Sequence, residues 1–244
     1  MARIWDKYLT EDEQEWIAAR KRPPFDLSER RMALIMVDVY RGGFGDKPEP
    51  LLESVKSWPW SCGENGWKAL PRIVELLDTC RACDIPVVHI TMRDPSDGLV
   101  GWIEARNRPS PSARVTTPVS DQMRRATRII DEVAPKPGEP VIEKSAPSGF
   151  WGTPLIGHLQ YLQVDTILVA GMTTAGCIRS TVTDAVSHRL RIVIPEECVF
   201  DRIEASHAMT LFDLHYRCAD VMPTDQVLAA VRSHRQGASA DEGA

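Results

Sequence analysis

The chain has 244 residues, 43% of them hydrophobic and 26% charged, with a formal charge of −5. That is the size and balance of one soluble α/β domain with a substantial core, and an acidic chain with no block of Lys and Arg argues against a nucleic-acid partner. The opening Met1-Ala2-Arg3-Ile4-Trp5-Asp6-Lys7 is too polar for a signal peptide, and no apolar run approaches the length of a membrane span. A cytoplasmic protein with no membrane partner is therefore expected.

Residues 1–30 form an N-terminal arm. Thr10-Glu11-Asp12-Glu13 has the form of a capping box opening a short helix that runs to about Arg20. Trp5, Tyr8 and Trp16 give this arm a docking surface, for which a neighbouring subunit is one candidate. The main domain spans 31–234. Its first strand is Ala33-Leu34-Ile35-Met36-Val37-Asp38, apolar throughout as a strand covered on both faces must be, and ending on a carboxylate. Residues 40–66 read as a long irregular segment rich in Gly, Pro and aromatics, the kind of connection that forms a lid, pocket wall or subunit contact. An amphipathic helix follows over 67–83, with Leu70, Ile73, Leu76 and Leu77 on one face, then a strand at Pro86–Thr91.

Residues 92–120 read as a second loop, which could carry pocket residues, and 121–133 as a helix. The third strand, Glu139–Lys144, ends on a lysine. Ser148-Gly149-Phe150 then leads to a helix with Thr153 as cap and Pro154 at its first position. The fourth strand begins at Thr166, turns at Gly171-Met172-Thr173-Thr174, and feeds a helix from Ala175 to about Arg189. A strand at 191–195, a helix at about 204–215, a strand at 218–222 and a helix at 224–234 complete the domain. The last ten residues, 235–244, should be frayed. Strands alternating with helices six times indicate an α/β fold: three layers, with a doubly wound, six-stranded parallel sheet between helices.

The six cysteines, at 62, 80, 83, 177, 198 and 218, form a sparse scatter rather than a disulfide framework. Cys80 and Cys83 make a Cys-x-x-Cys, but at the end of a predicted helix, where the dipole opposes a thiolate. No second Cys or His pair stands at ligand spacing, so no metal and no cofactor is expected. Cys177 differs, because it sits on the first turn of a helix after a buried strand. There, unpaired backbone N–H groups and the positive dipole end favour a thiolate.

Parallel strands bring their C-terminal ends to one edge of the sheet, so Asp38, Lys144 and Cys177 can converge there. An ammonium would stabilise a thiolate, a carboxylate could move the thiol proton to a leaving amine, and turn N–H groups near Thr173 and Cys177 could hold an oxyanion. How Lys144 would reach the site is left open.

Taken together, Asp38 at the end of strand one, Lys144 before Ser148-Gly149-Phe150 and Thr153-Pro154-Leu155, and Gly171-x-x-Thr174-x-x-Cys177 opening a helix resemble the isochorismatase-like cysteine hydrolases. The resemblance covers about residues 31–232. It implies a sheet order 3-2-1-4-5-6, a catalytic triad of Asp38, Lys144 and Cys177, and a cis peptide bond at Met172–Thr173. Thr173-Thr174-Ala175-Gly176-Cys177-Ile178-Arg179, the Trp58–Trp67 stretch and Asp201-Arg202 are most similar to the N-carbamoylsarcosine amidohydrolase branch. That similarity implies Thr173 and Thr174 as pocket hydroxyl donors, and Arg202 as an anchor for an anionic substrate group or else a structural partner of Asp201. The histidines that hold a metal in nicotinamidases have no counterpart in Thr91-Met92-Arg93-Asp94-Pro95. Tyr40 stands where the family often carries an amide side chain. The implied function is amidohydrolysis of a small carbamoyl, ureido or amide compound through an acyl-enzyme. Maleamate-, biuret- or nicotinamide-type amidases, or a non-catalytic binding protein of the same fold, remain alternatives. A homo-oligomer, dimer or tetramer, is also implied.

Overall fold

The computed structural model describes residues 3–20, 25–93, 101, 106 and 121–241, with side chains through 234. Seven strands form one sheet: β1 (Met32–Val37), β2 (Val87–Met92), β3 (Val141–Lys144), β4 (Thr166–Met172), β5 (Arg191–Pro195), β6 (Val199–Phe200) and β7 (Asp220–Met222). The order is β3-β2-β1-β4-β5-β7, parallel throughout. The strand absent from the sequence expectation is β6. β5 pairs with the first half of β4, and β6 takes over beside Gly171 and Met172. Between them Pro195, which has no N–H to continue a ladder, leads into a 3₁₀ turn at Glu196–Cys198. One edge is thus built in two pieces, and the second is too short to announce itself.

The helices are α1 (Glu11–Ala18), α2 (Arg41–Phe44), α3 (Leu51–Ser57), α4 (Glu64–Ala82), α5 (Asp121–Thr127), α6 (Leu155–Tyr161), α7 (Arg179–Ser187), α8 (Glu204–Arg217) and α9 (Thr224–Asp241). Alternation along the strands splits the core between two faces. Leu34 and Met36 of β1 pack with Leu76 and Leu77 of α4 and Val227 and Val231 of α9. Ala33, Ile35 and Val37 face Leu155 and Leu159 of α6, Val182 of α7 and Leu211 of α8. Every residue of β1 and β4 is buried, as the continuous apolar runs required. Each such Leu or Ile contributes about 2 kcal/mol of burial.

Several expectations change. The segment 40–66 is not irregular throughout. It holds α2 and α3, knitted by Cys62 N–H to the Gly43 carbonyl at 2.8 Å and by Ser54 Oγ against Ser61 Oγ at 2.7 Å. α5 stops at Thr127 because residues 128–130 pair with the chain after β1: Arg41 N–H donates to Arg128 O at 2.9 Å, and Tyr40 bridges Ile129. α6 begins one residue later than expected, with Thr153 Oγ1 accepting from Leu155 N–H at 3.3 Å. α9 runs to Asp241 rather than ending near His234. The loop expected at 92–120 lies, apart from residues 92, 93, 101 and 106, outside the described residues.

The arm docks on its own chain. Its capping box is present, Thr10 N–H donating to Glu13 Oε2 at 2.8 Å and Glu13 N–H to Thr10 Oγ1 at 3.3 Å. Trp5 is buried, with ring centroids 6.2 Å from Phe212 and 5.5 Å from His215 of α8. Trp16 lies 5.7 Å from Tyr216, and the Arg20 guanidinium covers both rings at 5.4 and 4.7 Å. α8 therefore takes up Trp5 and meets Trp16, while Tyr8 and much of Trp16 stay exposed. No helix among the described residues is long and apolar enough to cross a membrane.

Candidate active site

β1 ends at Val37, and Asp38 turns the chain off the sheet in the left-handed region, φ 55°, while its N–H still donates to Ile90 O at 2.9 Å. Beside it Gly171, φ 115°, presses β4 against β1 so closely that a Cβ would collide with the Val37 carbonyl oxygen. No other residue type fits there. Lys144 is the last residue of β3, paired with Met92 of β2. Its four-carbon stem crosses the end of β2 and sets Nζ 3.0 Å from Asp38 Oδ2 and 3.3 Å from Cys177 Sγ. The two-strand gap from β3 to β1 is spanned by the side chain, not by a bend of the backbone.

Cys177 lies in a π-helical turn, Thr174–Ile178, that runs directly into α7; the expected single helix from Ala175 begins with this wider turn. The Thr173 carbonyl accepts from Gly176 N–H at 2.9 Å and from Ile178 N–H at 3.2 Å. A side chain at 176 would meet Thr173 Oγ1 at 2.6 Å, so glycine keeps the turn tight before the cysteine. The Met172–Thr173 peptide is cis.

Electrostatics depart from the simple expectation of a depressed thiol. Burial, and then the Asp38 carboxylate, push the Cys177 thiol up to about 12 against the opposing pull of Lys144. Burial raises Asp38, while Lys144 and Cys177 hold it down in part. Burial lowers Lys144, but Asp38 and Cys177 outweigh it and the ammonium is held above its ordinary value. Asp38 and Lys144 have the geometry of an ion pair, with both side chains 1% exposed, beside a thiol whose ionisation burial opposes. Asp38 Oδ1 has no hydrogen-bond partner among the described residues. Moving the thiol proton to Asp38 leaves a thiolate beside the same ammonium, with no change in net charge.

The other residues singled out by sequence fare differently. Thr173 is half-buried at the start of the turn. Thr174 is fully buried, and its hydroxyl meets His207 Nδ1 at 2.7 Å, a contact that ties the turn to α8. Arg202 donates from Nε to Ser61 O at 2.9 Å and from Nη2 to Trp60 O, fastening the Trp-rich segment; among the described residues Nη1 has no protein partner. Its side chain makes no ion pair with Asp201. Instead Asp201 Oδ1 accepts Arg202's own N–H at 2.7 Å and Oδ2 accepts Ala175 N–H at 2.8 Å, so this carboxylate caps the Cys177 turn from another loop. Sequence reasoning missed Asp201 as a cap and His207 as a prop, because neither contact is local. Tyr40, which it noted only as a departure, is buried against the site.

Two cavities lie alongside. One of about 310 Å³ is lined by Trp58, Pro59, Trp60 and Met123, and one of about 380 Å³ by Asn65, Phe200, Asp201 and His207. Neither has Cys177 in its lining. All six cysteines are free. Cys80 is buried, and burial pushes its thiol up, the reverse of what a redox motif needs.

The isochorismatase domain model matches residues 32–226. The chain belongs to the isochorismatase family. It is 33% identical over 202 residues to N-carbamoylsarcosine amidase of Arthrobacter sp., covering 77% of this chain and 72% of the relative. It is 31% identical over 199 residues to maleamate amidohydrolase of Pseudomonas putida, covering 79% of this chain and 90% of that one. Among solved structures of similar fold, a cysteine hydrolase from Pseudomonas syringae pv. phaseolicola superposes with TM-score 0.70 at 19% identity, covering 87% of this chain and 97% of the other. N-carbamoylsarcosine amidase from Thermoplasma acidophilum does so with TM-score 0.59 at 25% identity, covering 80% and 97%. The fold of this isochorismatase-family chain is therefore shared with a cysteine hydrolase and an amidase, and the two sequence relatives are named for amide hydrolyses.

Proposed function

We propose that this protein is a cysteine-dependent amidohydrolase that cleaves a linear C–N bond in a small, carboxylate-bearing carbamoyl, ureido or amide compound, in the manner of an N-carbamoylsarcosine amidase. The observation that carries the proposal is the Lys144 ammonium held 3.0 Å from Asp38 Oδ2 and 3.3 Å from Cys177 Sγ. Nucleophile, base and cation stand within one proton transfer of each other.

In the proposed cycle Asp38 takes the Cys177 proton and Lys144 steadies the thiolate. Sulfur attacks the substrate carbonyl, and the oxyanion is received by backbone N–H groups of the 173–177 turn. Asp38 returns its proton to the leaving nitrogen, and ammonia departs. Water then gives a proton to Asp38 as its oxygen attacks the thioester. The acid is released, and Asp38 reprotonates the thiol. Positioned proton transfer of this kind is worth roughly 10²–10⁴-fold. Nη1 of Arg202 and the hydroxyl of Thr173 are the proposed contacts to substrate.

Maleamate-type hydrolysis is a second reading, favoured by the relative of that name, 90% of whose length is covered. Ammonia release from N-carbamoylsarcosine, maleamate, biuret and nicotinamide separates these. Turnover of one of the first two by the wild type and none by Cys177→Ala is expected. Equal rates with and without the thiol would refute the mechanism, and no turnover of any of the four would refute the substrate class.

A further inference from the structure

We infer that Tyr40 is a substrate-binding residue whose phenol O–H donates to the carboxylate of the substrate, adding a donor to those of Arg202. The inference rests on the function proposed above and refines it.

Tyr40 follows Asp38 by two residues, and its backbone is fixed by the bridge to Ile129. Its ring is buried, 4% exposed. A buried phenol ordinarily donates to oxygen or nitrogen. Among the described residues the hydroxyl reaches only the thioether of Met92, at 3.4 Å, and sulfur of this kind is a weak acceptor. Met92 is the residue paired with Lys144, which puts the hydroxyl at the same strand-end rim as the triad. The charges it feels fit this place. Burial raises the phenol, Asp38 and Cys177 raise it further, and Arg202 pulls the other way. Tyr40 thus lies within electrostatic reach of the nucleophile and of Arg202 together.

Arg202 leaves room for a second donor. Its Nε and one N–H of Nη2 are engaged by the Ser61 and Trp60 carbonyls. The side edge of the guanidinium is therefore occupied, and a carboxylate can approach only the end edge, at Nη1 and the remaining N–H of Nη2. Each carboxylate oxygen has lone pairs to spare in that pose, and the hydroxyl of Tyr40 supplies a further donor. The bond from the hydroxyl to the thioether is weak, so little is given up there when a carboxylate arrives.

The test compares wild type, Tyr40→Phe and Met92→Leu. For whichever of N-carbamoylsarcosine and maleamate the wild type hydrolyses, Tyr40→Phe should raise KM roughly tenfold or more with a smaller effect on kcat, the scale of one hydrogen bond to a charge. KM for the methyl ester of the same acid should not move. Met92→Leu, which removes only the sulfur partner, should leave both constants unchanged. A second arm needs no turnover. The ratio of iodoacetate to iodoacetamide alkylation at Cys177, followed by peptide mapping, should fall several-fold in Tyr40→Phe. Unchanged KM and an unchanged alkylation ratio in Tyr40→Phe would overturn the inference, as would equal losses in Met92→Leu. A wild type inactive on all four compounds named above refutes the proposed substrate class, and the alkylation ratio still judges Tyr40.

Discussion

Lys144 Nζ stands 3.0 Å from Asp38 Oδ2 although their strands are separated by β2. The long stem of a lysine lets the acid and the ammonium share a site that neither strand could build with shorter residues. Removing one partner of such a buried pair leaves an uncompensated charge. Lys144→Met is expected to cost about 3–5 kcal/mol in urea unfolding at pH 7. Ammonia release should fall by roughly 10²-fold or more, since an unpaired Asp38 protonates and ceases to act as a base. Wild-type stability in this variant would mean that the pair is not buried as described.

Asp38 raises the Cys177 thiol, so neutralising that side chain should lower it. In Asp38→Asn the ammonium has only the sulfur to pair with, and more thiolate should form near neutral pH than in wild type. Turnover should nonetheless be lost, because no group remains to carry protons between sulfur, leaving nitrogen and water. Ultraviolet thiolate absorbance followed through a pH titration measures the first effect. A thiol that titrates at the same or higher pH in Asp38→Asn contradicts the assignment of charges.

Asp201 accepts Ala175 N–H at 2.8 Å and Arg202 N–H at 2.7 Å, tying the Cys177 turn to the loop after β6. Asp201→Ala should cost about 1–2 kcal/mol, the usual scale of a lost helix cap, in chemical denaturation. It should lower kcat for the substrate that the wild type hydrolyses, because the nucleophile loses its fixed position. Full kcat with the stability loss alone would make Asp201 purely structural.

A separate cluster governs acid stability. Burial opposes ionisation of Glu139, but the Arg81 fork at 2.7 and 2.8 Å, the Lys136 N–H and His89 together hold its carboxyl down to about 2. A depressed carboxylate stabilises the fold above its unfolded value near 4.5, and this contribution is lost as pH falls from there toward 2. The shift corresponds to about 3 kcal/mol. Burial also lowers His89, so the unfolded chain binds a proton there more readily than the fold, and stability declines as pH falls through about 6.5. Urea midpoints should fall between pH 6.5 and 2.5, and Glu139→Gln should flatten the lower part of that decline. An unaltered slope in the variant would assign it elsewhere.

Much of the fold was legible because β1, β4 and β5 carry apolar runs that only a sheet covered on both faces can bury, and because Gly171 and Cys177 punctuate a strand and a helix within a few residues. What escaped shares one property. β6 is two residues long and has no pattern to detect. α2 and α3 are short pieces held by contacts such as Ser54 to Ser61. The roles of Thr174, Asp201 and Arg202 are set by His207, Ala175 and the Trp60–Ser61 carbonyls, partners that lie far along the chain. The thiol of Cys177 was expected to be depressed because helix end and lysine are visible in sequence. The burial that raises it is visible only once the chain is folded.

The claim that underlies the rest is that Cys177 carries the acyl group. Its most direct test is the intact mass of wild-type protein quenched in acid during steady-state turnover of N-carbamoylsarcosine or maleamate, with peptide mapping of the adduct. The account predicts an added mass equal to substrate minus ammonia, located on Cys177 and absent from Cys177→Ala. Turnover with no adduct at any quench time, and with Cys177→Ala as active as wild type, would contradict it.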